Sequence, residues 1–476
     1  VQISKKIGLL LGPTLFSIIQ FLPISLVSEK GDAVIAVAVW MVIWWITETV
    51  NIAVTALLPL ILFPLLRVMP IEDVGANYGS PIIFLFFGGF ILALALEKVN
   101  LHRRIALTIV KLTGTTPEKV VLGFMLATAF MSMWISNTAS TVVMLPIAIS
   151  VIKLLMDDKD GFTKGDKNFA LSIMLGVAFA ANAGGIATVI GTPPNSVLIG
   201  LLENQYNIQI SFLTWMSFGL PFSILMITFV YFVLVKWMFP CKGIVFTSST
   251  NLIDQELEKL GKISFEEKRV LTIFAITVFL WITRTLINGV FPGLKLSDTI
   301  ISLLGAVALF AIPLHVKKGT FVLEWSDTSK LAWGILILFG GGLALAKGMA
   351  SSGLVGLVTE SIAQGNLPVL LTVSLLIVLM LFMTELMSNV ALVAVLGPVV
   401  AGIAIGLNIP ILNLLIPVTM ASSCAFMLPM ATPPNAIVFA SGYVKVNQMV
   451  RAGIVLNLIA VALLILYYKF IIPFFF

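Results

Sequence analysis

Apolar runs of about 20 residues recur from one end of this chain to the other, each long enough for a helix to cross a bilayer. Where water is excluded, backbone N–H and C=O groups need internal partners, and a helix supplies them within one segment. The expected fold class is therefore an all-α polytopic membrane protein. Only 11% of the 476 residues are charged, against about 25% in a soluble domain. The basic residues fall in loops between the apolar runs, so the pI of 9.2 reads as a positive-inside bias and not as a nucleic-acid surface. Cys241 and Cys424 lie far apart in or beside apolar sequence, and no disulfide is expected. Lys5 and Lys6 precede an apolar run that mimics a signal peptide. It has no convincing small-residue cleavage site, so residues 1–30 are read as a retained first span.

Four polar stretches interrupt the apolar sequence. Ser136-Asn137-Thr138 has an echo at Ser388-Asn389-Val390, and each serine is followed ten residues later by a proline, Pro146 or Pro398. Thr192-Pro193-Pro194-Asn195 has its echo at Thr432-Pro433-Pro434-Asn435. Bare polar side chains at mid-depth are costly. Two re-entrant hairpins, 117–155 and 367–404, would bury the Ser-Asn tips in protein. The proline pairs would open discontinuous helices at 168–203 and 411–443.

The echoes are ordered as a repeat. Phe87-Gly88-Gly89 matches Phe339-Gly340-Gly341 at an offset of 252, as do the Ser-Asn pairs; Trp45-Ile46-Thr47 matches Trp281-Ile282-Thr283 at 236 and the Thr-Pro-Pro-Asn motifs match at 240. The division is then a first repeat with span six over 31–239, a cytoplasmic linker over 240–268, a second repeat over 269–446 and a last span over 447–476, about 11 spans in all. Of the 28 Lys and Arg residues, 22 lie in loops assigned to the inner face, five on the other face, and Arg284 within a span. That asymmetry predicts a cytoplasmic N-terminus, an external C-terminus and repeats of inverted topology.

Broken helices expose half-helix N-termini, whose free N–H groups attract anions. Freed carbonyls and Ser, Thr or Asn oxygens suit a small hard cation. No Lys or Arg adjoins the four motifs, so co-bound sodium is the expected offset to substrate charge. Glu48 and Arg284, in matched helices, are read as a structural ion pair or helix-end contact; His102 and His315 as interfacial; Lys347 as a snorkelling residue. An intramembrane enzyme would need a nucleophile–base pair or a metal cluster. The sequence has no His-Glu-x-x-His, no Gly-x-Ser-x-Gly and no Walker-type loop, so no catalytic residues and no cofactor are expected.

The paired SNT-type and TPPN-type motifs in inverted repeats resemble the divalent anion/sodium symporter family, carriers of dicarboxylates, citrate or sulfate, over residues 31–446. The resemblance implies a homodimer in the bacterial plasma membrane, with a transport domain that slides against a scaffold, elevator-fashion. It implies a first sodium site at Ser132, Ser136, Asn137 and Gly191, and a second at Thr384, Asn389 and Ala431. Substrate carboxylates would meet Asn137, Thr138, Thr192 and Pro193 on one side, and Asn389, Val390, Thr432 and Pro433 on the other. Val390 departs from the threonine frequent in dicarboxylate carriers and removes a hydroxyl from one arm. The implied cargo is a C4-dicarboxylate or related anion such as succinate, malate, fumarate or 2-oxoglutarate, moved by sodium symport or by exchange. Competing readings are a sulfate or phosphate carrier, an anion channel and an intramembrane enzyme.

Overall fold

The computed structural model describes residues 2–21, 27–114, 116–156, 163–241, 249–315, 319–365 and 368–476. Parts of the first span, of the loop near 157–167, of the linker and of the start of the second hairpin lie outside the described residues.

The chain opens with α1 (Gln2–Phe21) packed on α2 (Glu29–Thr47). Two short helices follow, α3 (Ile52–Thr55) and α4 (Leu58–Leu65), then α5 (Ile71–Tyr78) and α6 (Pro81–Lys98). The amphipathic α7 (Leu101–Thr113) leads into α8 (Pro117–Ser132) and α9 (Asn137–Met156). Next come α10 (Lys164–Gly185), α11 (Pro193–Tyr206) and α12 (Phe212–Tyr231), which runs on as a π-helical turn to Met238. The linker carries α13 (Ser249–Lys259).

The same order then returns. It comprises α14 (Phe265–Val290), α15 (Asp298–Ala311), α16 (Trp333–Ser351), α17 (Leu354–Ala363), α18 (Val369–Met383), α19 (Asn389–Gly406), α20 (Ile411–Ser422), α21 (Pro433–Ala440) and α22 (Val446–Leu466). Like α12, α22 ends in a π-helical turn, Tyr467–Ile471. A two-stranded ribbon, Pro313–His315 with Thr320–Phe321, sits between α15 and α16.

Local chemistry sets these boundaries. Pro117, Pro193 and Pro433 each open a helix, where the missing N–H costs nothing. Thr163 with Asp166 and Ser264 with Glu267 form reciprocal caps at the starts of α10 and α14. The Trp-Ile-Thr echo has a structural counterpart: Trp45 and Trp281 are both 1% exposed, and their indole N–H groups donate to the carbonyls of Ile52 and Asp298 at 3.2 and 3.0 Å.

Among the described residues, eight helices are long and apolar enough to cross a membrane. Eight is fewer than the eleven spans expected; α15, of 14 residues, and α20, of 12, are apolar but shorter than that length. Large apolar side chains point outward, as at Phe279, Leu286 and Leu375, a surface that suits lipid.

One expected placement changes. Glu48 does not pair with Arg284: it ends α2 in a left-handed conformation (φ 47°), while Arg284 pairs with Asp298 at 3.1 Å. Asp298 also accepts from the Phe212 N–H at 2.8 Å, which offers Arg284 a nearer anion. His102, expected at the membrane interface, is packed within the protein, with its Nδ1 2.9 Å from the Leu96 carbonyl.

The basic helix α7 is bound to the acidic linker. Arg103 pairs with Glu256, Arg104 with Glu267 at 2.7 Å, and Lys111 with Asp254 at 2.7 Å. Hydrogen bonding from Lys259, at 2.6 Å, with further help from Arg103, holds the Glu256 carboxyl below its ordinary pKa despite some burial. A depressed carboxyl contributes stability above its unfolded value, about 4.3, and loses it as pH falls through the folded one. Acidification through that range is expected to lower the thermal midpoint of the wild type, and E256Q to lose part of that pH dependence. Melting curves of both proteins in detergent across pH 3–6 check this.

Candidate functional site

The first Ser-Asn tip is a four-residue turn, 133–136, between Ser132 at the end of α8 and Asn137 at the start of α9. The Ser132 hydroxyl lies 2.6 Å from Asn137 Oδ1 and 2.7 Å from the Ala181 carbonyl of α10. Three oxygens of three helices thus meet, and the single hydroxyl proton serves one acceptor at a time. Ser136 Oγ accepts from the Ala139 N–H at 3.1 Å and caps α9. Gly185 is required beside the tip, since a Cβ there would overlap Asn137 Oδ1. A Cβ at Gly191 would stand 2.5 Å from the Gly185 carbonyl, so the break folds tightly against the end of α10.

The second tip repeats this geometry. The Thr384 hydroxyl lies 2.6 Å from Asn389 Oδ1 and 2.6 Å from the Ser422 carbonyl at the end of α20. Ser388 Oγ accepts from the Ala391 N–H at 3.5 Å. Ser132 and Thr384 are fully buried, whereas Asn137, Thr138, Asn389 and Val390 are half-buried. A neutral trio of hydroxyl, amide and carbonyl oxygens is the donor type that a small hard cation takes.

The asparagines of the Thr-Pro-Pro-Asn motifs knit the breaks themselves. Asn195 Nδ2 donates to the Thr188 carbonyl at 2.8 Å and approaches those of Gly185 and Ile186. Asn435 Nδ2 donates to the carbonyls of Ala425 and Leu428, both at 3.1 Å. Each amide replaces helix hydrogen bonds lost at the break. Helix α9 packs on α10 and α21, and α19 packs on α11 and α20, so each hairpin touches both breaks.

The structure brings Ser132, Ser136 and Asn137 together at one tip and Thr384 and Asn389 at the other. Gly191 reaches the first group through Gly185. Thr192 and Thr432 are buried at the starts of α11 and α21, with Thr432 Oγ1 accepting from the Asn435 N–H at 3.4 Å. Pro193 is half-buried and Pro433 exposed. Ala431 bonds to Leu428 within its own loop and has no hydrogen bond to Thr384 or Asn389.

Two residues escaped the sequence reading. Glu385, beside the second tip, is 3% exposed. Its carboxylate accepts from the N–H groups of Phe426, Met427 and Leu428 at 2.9–3.0 Å and from Asn457 Nδ2 at 2.8 Å. An acidic residue three positions before a Ser-Asn pair in apolar sequence was the available signal. Asn182, inside α10, donates to the second break; it was hidden in a run of Ala and Gly.

The family description "Sodium:sulfate symporter transmembrane region" matches residues 4–473. The chain belongs to this family. It is 40% identical to the sodium-dependent dicarboxylate transporter SdcS of Staphylococcus saprophyticus over 482 residues, covering 99% of this chain and 92% of that protein. It is likewise 40% identical to SdcS of Staphylococcus aureus strain COL over 480 residues, with 99% and 92% covered. Among solved structures, the Alcanivorax borkumensis YdaH transporter superposes with a TM-score of 0.59 at 15% identity, over 84% of this chain and 88% of that one. This likeness concerns the fold alone. As a symporter-family member with apolar spanning helices, the chain is an integral membrane protein.

Removing the Glu385 carboxylate would strip four donors, two of them buried and two half-buried, of their acceptor. E385A is expected to cost about 3 kcal/mol of stability. E385Q, which keeps the oxygen facing Phe426 and Met427, is expected to cost less. Thermal midpoints of the detergent-purified variants measure both.

Proposed function

We propose that the protein is a secondary active transporter that carries C4-dicarboxylates and related anions, such as succinate, malate, fumarate and 2-oxoglutarate, together with sodium across the bacterial plasma membrane. The observation that carries this reading is the duplicated oxygen trio at Ser132–Asn137–Ala181 and Thr384–Asn389–Ser422. The sodium-dependent dicarboxylate carriers to which the chain is 40% identical support the substrate.

The physics is one of charge compensation. A dianion entering a site without Lys or Arg meets helix N-termini, which carry about half a charge each. Sodium held by Ser132, Ser136, Asn137 and Gly191 on one side, and by Thr384, Asn389 and Ala431 on the other, offsets the rest. The carboxylates then contact Asn137, Thr138, Thr192 and Pro193, and Asn389, Val390, Thr432 and Pro433. The half-exposure of Asn137, Thr138, Asn389 and Val390 suits a surface that substrate reaches.

Alternating access follows if the hairpins and broken helices move as one body between the two faces, in a homodimer of about 11-span subunits with inverted repeats, a cytoplasmic N-terminus and an external C-terminus. The ion pairs among 98–111, 254–267 and 327 support the orientation, since they join segments that the charge bias puts on one face.

Labelled succinate uptake into proteoliposomes tests the reading, with and without an inward sodium gradient and with and without internal succinate. Sodium-dependent uptake into empty vesicles is expected. Uptake that ignores sodium and needs internal dicarboxylate would replace symport by exchange, and a protein selective for sulfate over succinate would overturn the substrate class. N137A and N389A are expected to abolish uptake while eluting as folded protein; unchanged uptake in both would remove the site assignment.

A further inference from the structure

We propose that Asn182 is the positioning residue that makes the two half-sites act as one, so that cation occupancy beside the first tip sets carboxylate affinity at the second break. This rests on the transport reading above. Asn182 sits in α10 of the first repeat and is 1% exposed. Its Nδ2 lies 3.1 Å from the Ala425 carbonyl, 3.1 Å from Thr432 Oγ1 and 3.2 Å from Asn435 Oδ1, all in the second repeat. The amide orientation is fixed, because the Ala425 carbonyl can only accept.

Asn182 directly follows Ala181, whose carbonyl meets the Ser132 hydroxyl. A continuous polar path therefore joins the tips. It runs from Asn137 through Ser132 to Ala181, across Asn182 to Thr432 and Asn435, on to the carbonyls of Ala425 and Leu428, and from the N–H groups of 426–428 to Glu385, the neighbour of Thr384. A cation drawing on Ser132, Asn137 and the Ala181 carbonyl loads the turn of α10 that carries Asn182. The amide transmits that load to Thr432, a carboxylate contact of the other half.

The crossing is one-way. The offset of 240 between the breaks sets Asn182 opposite Ser422, whose hydroxyl donates to Thr419 within α20 at 2.7 Å. The residue after the carbonyl that meets the tip hydroxyl is Asn182 in the first half and Ser423 in the second. The buried Ser423 Oγ has no partner and makes no return bond to the first repeat. The path alone does not establish coupling; a change in cooperativity does.

The experiment measures succinate uptake by reconstituted protein against sodium concentration, for wild type, N182A, N182D and S423A. Two cation sites allow wild-type activation to rise with a Hill coefficient of up to about 2. N182A is expected to flatten it towards 1 and to raise the succinate KM about tenfold, the loss of buried hydrogen bonds setting the scale. N182D keeps the shape but sets an acceptor oxygen in place of the donor against Asn435 Oδ1 and the Ala425 carbonyl, so it carries the test if N182A does not fold, with the same expected result. S423A is expected to leave both quantities at wild-type values. A lower maximal rate with unchanged Hill coefficient and KM would make Asn182 structural only and overturn the proposal. Wild-type protein without sodium-dependent succinate uptake would overturn the transport reading first and this inference with it.

Discussion

One hydroxyl, placed twice, holds the centre of this protein together. Ser132 and Thr384 each stand at the last turn of a helix that stops short, and each reaches an asparagine and a carbonyl of a neighbouring helix at 2.6–2.7 Å. A helix ending inside a bilayer leaves carbonyls and N–H groups without partners, at several kcal/mol each in order of magnitude. The tip hydroxyls, the caps from Ser136 and Ser388, and the Asn195 and Asn435 amides answer that demand with side chains. In the proposed transport reading the groups that make the interruptions tolerable are also those offered to substrate and cation.

The packing serves this arrangement. Gly185 leaves room for Asn137, and Gly184 lets α10 close on the Ala129 backbone of α8. Further out, Gly88 meets Ser302 and Gly341 meets Ala56 at backbone contact. Small residues where helices cross let dispersion and close backbone approach hold a bundle that gains nothing from burying apolar surface away from lipid. The aromatic stack of Trp134, Phe212 and Trp281 links the first tip to α12 and α14, with ring centroids 6.1 and 4.6 Å apart.

Much of this was legible in the sequence because the demand for backbone partners is strict. Ser136-Asn137 and Ser388-Asn389 mark turns between helices, and Pro193 and Pro433 start the second halves of broken helices, since few other sequences could interrupt an apolar helix at those places. The helix-end alternative for Glu48 was right, while its pairing with Arg284 was not: sequence offsets align helices along the chain and do not say which neighbouring loop brings a closer charge, here Asp298. The partners of Asn182 and Glu385 were not legible for a related reason. Glu385 binds chiefly backbone N–H groups, which leave no complementary residue type in the sequence, and Asn182 crosses to the other repeat, which no local spacing marks.

The residues missed are also those that break the two-fold resemblance. The repeat places Met133 opposite Glu385 and Ser422 opposite Asn182, so among the described residues only the second tip is bound through a carboxylate and only the first repeat sends an amide across. The added polar residues remove the equivalence of the two halves without disturbing the shared geometry of hydroxyl, asparagine and carbonyl. A buried carboxylate held by three consecutive N–H groups fixes residues 426–428 as a rigid rest for Asn435. Against that rest stands the Asn182 amide, which joins α10 to Thr432 and Asn435 of the second break.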